Sequence, residues 1–395
     1  MKALRFSRSL PRFAAARVAD TLSAGGGARL GPLALVEVPD PTPPPDGDAD
    51  RWHRVRPVLA GICGSDLATV GGRSSRWFEP IVSFPFVPGH EVVGVLDDGA
   101  RVVLEPVLGC AARGIDPPCR ACAAGEKGRC AHITVGHLRP GLQTGYCADT
   151  GGGWSTALMA HDSQLHRVPE VLSDAEAVMV EPAACAVHGA LRAQVPPGGL
   201  VVVLGAGTLG LCTIAALRRL AQPGTVVVGA KHPEQRAEAS RLGADVAVEP
   251  GEVRRAVRRA TRSLTVGGRL SGGADAVVDC VGSGASLAEA LAIVRPGGRI
   301  TLVGMPGPER LDLTPLWQRE VELAGAYAYG TEDLGVRRVG TFELAFDLVH
   351  GARLGRLVSA RYPLERYREA IEHAATAGSR GAVKIVFEPS KERTR

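Results

Sequence analysis

The chain has 395 residues, a formal net charge of +5, and 50 glycines alongside 28 prolines. That length calls for two domains rather than one core. The charge is small, sits partly in an Arg-rich tail and one helix, and is not interleaved with aromatics as a nucleic-acid surface would be. No apolar run reaches the roughly 20 residues that span a bilayer, and residues 1–10 lead to no apolar stretch with a cleavage site. We therefore expect no membrane or nucleic-acid partner and a cytoplasmic location.

In chain order, short strands broken by turns come first: Leu33–Val38, Trp52–Ala60, Glu91–Leu96 and Arg101–Glu105. Pro39–Asp50 is too rich in Pro and Asp for a regular element and reads as a surface loop. Such punctuation predicts an irregular, mostly β domain over residues 1–168. The pattern then changes. Apolar runs at Leu200–Gly205, Thr225–Ala230, Asp245–Val248, Ala274–Cys280, Arg299–Val303 and Val321–Tyr327 alternate with helical stretches, one of them Arg-rich over Glu252–Ser263. Continuously apolar strands separated by helices predict a doubly wound parallel sheet of six strands over residues 169–335. Residues 336–395 carry two more helices and strands near Leu357–Arg361 and Ala382–Phe387, which can complete the first domain around an inserted second one.

The chemistry begins at Gly61-Ile62-Cys63-Gly64-Ser65-Asp66, followed 27 residues after the cysteine by His90-Glu91. Thiolate, imidazole and carboxylate are first-choice ligands for Zn²⁺, and an incomplete protein set leaves a position for a substrate oxygen. Adjacent side chains on extended backbone point to opposite sides. His90 and Glu91 therefore reach one ion only if Gly89 bends the chain, and whether Glu91 ligates, exchanges or supports stays open. Glu181, just before a helix, is the other carboxylate candidate; the plainer reading is an exposed acid favoured by the helix dipole.

Cys110, Cys119, Cys122 and Cys130 fall within 21 residues of Gly- and Pro-rich chain. They predict a lobe, about residues 106–135, folded around a second, structural zinc. Disulfides are disfavoured for a cytosolic protein. Gly205-Ala206-Gly207-Thr208-Leu209-Gly210 fits G-x-G-x-x-G between an apolar strand and a helix, where backbone can approach a pyrophosphate. At the end of the next strand stands Gly229-Ala230-Lys231-His232, with no carboxylate for the adenosine ribose, and Arg236 follows one turn on. Lys231 with Arg236 suits a 2′-phosphate, so NADP is the expected cofactor and NAD the alternative.

This ordered set resembles the zinc-containing medium-chain dehydrogenase/reductase family, and within it the polyol and threonine dehydrogenase branch. The likeness covers nearly the whole chain: GICGSD, PGHE, the cysteine lobe, Glu181-Pro182 before a helix carrying His188, GAGTLG, and Leu242-Gly243-Ala244-Asp245. It implies a Rossmann domain inserted in a GroES-like catalytic domain, in dimers or tetramers. It implies a catalytic zinc on Cys63, His90 and either Glu91 or Glu181, with Ser65 exchanging a proton with the substrate alcohol. Two zinc ions per chain would result.

Three departures stand out. Many members have a histidine five residues after the first cysteine as the outer end of a proton relay, where this chain has Ala68. Eight residues rather than two separate Cys110 from Cys119, and the extra Ala111–Pro118 loop is expected to bulge outward. Trp154-Ser155-Thr156 replaces an aromatic-acid-aromatic pattern, and the sequence assigns it no effect.

The implied activity is hydride transfer between NADP(H) and a small-molecule alcohol or carbonyl, with zinc polarising the substrate oxygen. Two alternatives share the scaffold: a reductase of activated C=C or imine bonds, and a non-catalytic NADP(H)-binding redox sensor.

Overall fold

The computed structural model describes residues 1–44 and 48–390. Residues 45–47 of the expected Pro39–Asp50 loop, and the end of the Arg-rich tail, lie outside the described residues. The chain divides into two units, Met1–Glu181 with Arg353–Arg395, and Pro182–Ala352, so the second is an insertion in the sequence of the first. No described helix is long and apolar enough to cross a membrane.

In the first unit, Trp52–Gly61 is the central strand. It pairs antiparallel with Val92–Leu96, Leu158–His161 and Lys384–Phe387, and the sheet extends through Arg101–Leu104 and Leu165–Arg167 on one side and Val358–Tyr362 on the other. The C-terminal strand therefore sits beside the strand that leads to Cys63: Val386 lies opposite Gly61. The core beneath collects Leu4, Phe6, Val55, Val92, Leu104, Trp154, Ile385 and Phe387, all nearly or fully buried. Burying such side chains contributes about 1.5–3 kcal/mol each.

An additional element precedes that sheet. Lys2–Phe6 pairs antiparallel with Leu33–Glu37, and between them lie a helix, Leu10–Leu22, and a shorter one, Gly27–Leu30. The sequence reading assigned neither. They pack on the helix Gly64–Val70: at Gly27 a side chain would meet the backbone of Val70 and Gly71, and Asp20 pairs with Arg73 at 2.7 Å.

The second unit has the expected six parallel strands, in the spatial order Val246–Val248, Thr225–Gly229, Leu200–Leu204, Ala274–Asp279, Val294–Leu302, Glu322–Gly325. In chain order that is 3-2-1-4-5-6, the doubly wound Rossmann arrangement. Val202, Val227, Val277 and Ile300 form its apolar interior with Val253 and Val257 of the Arg-rich helix. That helix turns its arginines outward, Arg254 to Glu289 and Arg255 to Glu252.

Candidate active site and cofactor turn

The two ligand segments meet at one end of an antiparallel strand pair, where Ala60 lies opposite Val92. The strand Trp52–Gly61 ends two residues before Cys63, which begins the helix Gly64–Val70; the next strand of the sheet, Val92–Leu96, starts just after His90 and Glu91. Gly89 has φ +96°, a value that glycine adopts without strain, and this is the bend that Glu91 needs. Potential ligand atoms of Cys63, His90 and Glu91 lie within 4.8 Å of one another.

Trp154 acquires the role that the sequence left blank. Its ring packs against Gly89, where any side chain would collide with it, and Nε1 donates to Gly61 O at 3.0 Å. Its backbone N–H donates to Pro88 O at 2.9 Å. One fully buried residue thus ties the approach to Cys63 to the approach to His90. Phe387 meets it edge-on, ring centroids 5.1 Å apart.

The partners of the three candidate ligands come from elsewhere in the unit. Asp66 Oδ2 accepts the Cys63 N–H at 3.0 Å, capping the helix, while Asp66 Oδ1 stands 3.5 Å from His90 Nδ1. Burial works against protonation of His90, but Asp66 and Cys63 outweigh it and hold the imidazole well above its ordinary 6.5. Glu91 is paired with Lys384, both side chains almost wholly buried. Lys384 Nζ also donates to Ile62 O at 3.3 Å. The sequence reading missed this lysine, which arrives on the C-terminal strand. Glu181 is buried rather than exposed; it lies outside the 4.8 Å cluster, and its charge is felt at Lys384.

Ser65 sits half-buried in the first turn of the ligand helix, where Thr69 Oγ1 donates to its backbone carbonyl at 2.9 Å. Tyr146 OH meets Asp66 Oδ1 at 3.2 Å and Thr69 Oγ1 at 3.3 Å. Burial, joined by the negative charge of Asp66, pushes the phenol well above its ordinary 10.0. Trp77, on the chain between the two ligand segments, is 79% exposed.

A buried thiol, imidazole and carboxylate at this separation suit zinc, because a divalent cation takes the place of the proton that the clustered negative charge otherwise holds on His90. The four lobe cysteines pass the same test: their sulfurs lie within 4.8 Å of one another and all are free thiols. Backbone amides, that of Cys122 first, bring Cys119 down to about 6, whereas burial raises Cys122 and Cys130. Four packed sulfurs ionise together only around a cation. His132 joins them, Nδ1 3.3 Å from Cys110 Sγ.

The extra lobe loop does not simply bulge outward. Ala112 enters a small apolar cluster with Trp52, Leu108, Leu138, Cys147 and Met159. Arg113 is fully buried and donates to the carbonyls of Leu108, Val135 and Leu138 at 2.9–3.2 Å, bracing the chain that returns from the lobe. The exposed positions are Ala111, Gly114 and Asp116–Pro118.

In the second unit, Gly205-Ala206-Gly207 leads from the strand Leu200–Leu204 into the helix Thr208–Ala216. A Cβ at Gly210 would strike Gly205 O, so helix and strand approach closely; a Cβ at Gly207 would meet nothing within 4 Å, leaving that backbone open to a pyrophosphate. Lys231 is exposed beyond the next strand. Arg236 donates to Ala230 O at 2.9 Å and Lys231 O at 3.2 Å, and lies 3.4 Å from Glu249. His188 pairs with Glu332 at 2.8 Å within this unit.

Comparison with known proteins agrees with this geometry. Residues 49–170 match the alcohol dehydrogenase GroES-like domain, and residues 208–338 match the zinc-binding dehydrogenase profile. Sorbitol dehydrogenase of Arabidopsis thaliana is 28% identical over 349 residues, 85% of this chain and 87% of that protein. L-idonate 5-dehydrogenase of Vitis vinifera is 27% identical over 353 residues, 85% of this chain and 87% of its own. In fold, galactitol-1-phosphate dehydrogenase from Escherichia coli superposes with a TM-score of 0.70 at 20% identity, covering 98% of this chain and all of that one. The fold and the site define a zinc-dependent alcohol oxidoreductase that uses a nicotinamide cofactor. The chain belongs to the zinc-containing medium-chain dehydrogenase/reductase family, on its polyol dehydrogenase side.

Proposed function

We propose that the protein oxidises a secondary hydroxyl of a small polyol, or reduces the corresponding carbonyl, with NADP(H) as hydride partner. The observation that carries this reading is the buried Cys63–His90–Glu91 cluster. In it the catalytic zinc is held by Cys63, His90 and a carboxylate from Glu91 or Glu181, and a second zinc sits among Cys110, Cys119, Cys122 and Cys130. When bound, the zinc polarises the substrate oxygen and the nicotinamide carries the hydride.

The remaining work belongs to the chain. Ser65 Oγ takes the proton from the substrate hydroxyl or returns it. Asp66 orients His90 and fixes the first turn of the helix that carries Ser65. Lys384 neutralises Glu91 so that the site can hold a carboxylate without water. Gly205, Gly207, Thr208, Leu209 and Gly210 bind the pyrophosphate through backbone N–H groups. Ala230 and Lys231 face the adenosine ribose, with Lys231 pairing the 2′-phosphate and Arg236 bracing the turn beneath it. Polyol is the substrate class because the curated relatives are named for sorbitol and L-idonate.

In this reading residues 1–168 and 336–395 form the catalytic domain and residues 169–335 the cofactor domain of a cytoplasmic homodimer or homotetramer. Metal-replete protein, with zinc per chain counted first, is tested against alcohols and carbonyls with each cofactor. Turnover of a polyol with higher kcat/KM for NADP supports the reading. A clear NAD preference removes the NADP assignment, and absence of polyol turnover removes the substrate class.

A further inference from the structure

The arginine-rich helix of the second unit, Val253–Thr261, takes no part in the site described above. Val253 and Val257 hold its inner face in the apolar core. Arg255, Arg258 and Arg259 stand three and four residues apart on the opposite, exposed face, and Arg262 caps the helix one turn on. Glu252 neutralises Arg255 at 2.9 Å. Among the described residues no acid pairs with Arg258, Arg259 or Arg262.

The chain that leaves this helix forms a short hairpin beside it. Thr265–Val266 pairs antiparallel with Arg269–Leu270 across Gly267-Gly268, both glycines with positive φ. Leu270 is 2% exposed and anchors one side of the hairpin in the core. Side chains alternate along a strand, so Val266 and its register partner Arg269 take the other side, together with Leu264. Leu264 is 71% exposed and Val266 67%. Arg254 pairs with Glu289 and donates to Gly268 O, which ties the turn to the helix edge where Arg258 follows four residues later. Scattered exposed aliphatics are ordinary. Here two of them stand clear of the surface on one small hairpin, beside cations that lack counter-charges.

We propose that this face docks on the surface of an anionic lipid bilayer, with the arginines against headgroup phosphates and Leu264 and Val266 entering the boundary with the acyl chains. Guanidinium groups match phosphate oxygens in pairs, and basic helices with adjoining apolar side chains lie in the plane of a charged membrane. A nucleic acid would engage the arginines alone: residues 252–271 hold no aromatic ring to stack on a base, and both aliphatics would stay in water. An apolar protein groove would take the aliphatics and strand the charges. The contact is with the bilayer surface, since no described helix is long and apolar enough to cross one.

The test sediments metal-replete, full-length protein with vesicles of phosphatidylcholine alone or mixed with phosphatidylglycerol. Binding is expected to the mixed vesicles only, and to disappear at about 1 M salt, where the screening length is about 3 Å. Arg258→Gln, Arg259→Gln and Arg262→Gln together are expected to weaken it roughly 100-fold, about fivefold for each arginine. Leu264→Ser with Val266→Ser is expected to weaken it about tenfold. Melting temperature and cofactor binding stay unchanged in both variants, because none of the five residues lies in the zinc clusters or the cofactor turn. Equal binding to both vesicle types, or parental binding by the arginine variant, overturns the proposal. Should the arginine variant fail to fold, the aliphatic pair and the salt dependence decide alone. Vesicle binding that survives Leu264→Ser with Val266→Ser, alongside equally tight binding of single-stranded RNA, overturns the proposal in favour of a general polyanion site. Release from vesicles by inorganic phosphate beyond that by chloride of equal ionic strength overturns it in favour of a free-phosphate site.

Discussion

Lys384→Met isolates the pairing that the sequence conceals. Lys384 and Glu91 have side chains only 1% and 2% exposed, and the lysine also donates to Ile62 O. Methionine fills a similar volume but leaves the Glu91 carboxylate buried without its counter-charge. Removing one partner of a buried pair costs about 3–5 kcal/mol, because the cost is that of the stranded charge rather than of the bond. For a unit of this size each kcal/mol shifts the melting point by about 2–4 °C, so the first unit is expected to melt about 10 °C lower.

Calorimetry on metal-replete protein measures the shift, and Lys384→Met combined with Glu91→Gln supplies the control. With both charges gone, the double variant is expected to recover most of the loss. Burial alone would lower the Lys384 pKa, but Glu91 and the neighbouring charges raise it above its ordinary 10.5. A raised folded-state value keeps its stabilisation in full below the unfolded value and loses it only as pH climbs through the higher one. The deficit of Lys384→Met is therefore the same at pH 6 and at pH 9. A variant that melts within about 2 °C of the parent, or a double variant as unstable as the two singles added, refutes the argument.

Cys63→Ala and His90→Ala are each expected to abolish turnover while nicotinamide fluorescence still reports cofactor binding; near-normal kcat in either removes the zinc assignment. Cys119→Ser should lower zinc from about two ions per chain to about one, read by elemental analysis, since a structural site needs all four sulfurs. Glu105 gives a pH prediction. Burial would raise its pKa, but His166 at 2.7 Å and Lys127 at 3.1 Å keep it below the ordinary 4.5. A lowered acid stabilises the fold above its unfolded value and loses that contribution as pH falls through the folded one. The parent should thus lose melting temperature between about pH 5 and 3 more steeply than Glu105→Gln, and parallel curves would contradict the assignment.

Much of the fold was legible because its signals are local. Each strand of the parallel sheet is continuously apolar, as burial on both faces demands, and the helical stretches between the strands mark the crossovers that parallel pairing requires. The N-terminal helices were not legible in the same way. Leu10, Ala14, Val18 and Leu22 recur every four residues, but that face is exposed, and Ala16 is the fully buried residue of the helix. Glycines make its close contacts, Gly31 against Ala16, Gly71 against Asp20 and Gly72 against Phe13 and Arg17, and close approach through glycine leaves no hydrophobic period to read.

The site divides along the same line. Donor atoms declare themselves through residue type and spacing, so Cys63, His90, Glu91 and the four lobe cysteines could be named before any fold was known. What holds those donors is carried by single residues from distant segments whose types are ambiguous in isolation. Trp154 reads as an ordinary core aromatic until its indole N–H meets Gly61 and its ring meets Gly89. Lys384 reads as a surface cation until the parallel pairing of Val358–Tyr362 with Lys384–Phe387, and the antiparallel pairing of the latter with Trp52–Gly61, carry it inward. Tyr146 reads as an ordinary core aromatic until its hydroxyl meets Asp66 at 3.2 Å and Thr69 at 3.3 Å. A zinc site is therefore specified twice: once by short motifs that choose the metal, and again by the sheet, which decides which buried charges and hydroxyls surround it. Reactivity depends on the second specification as much as on the first, because the ion's affinity, the carboxylate's charge and the proton's route are set by those neighbours.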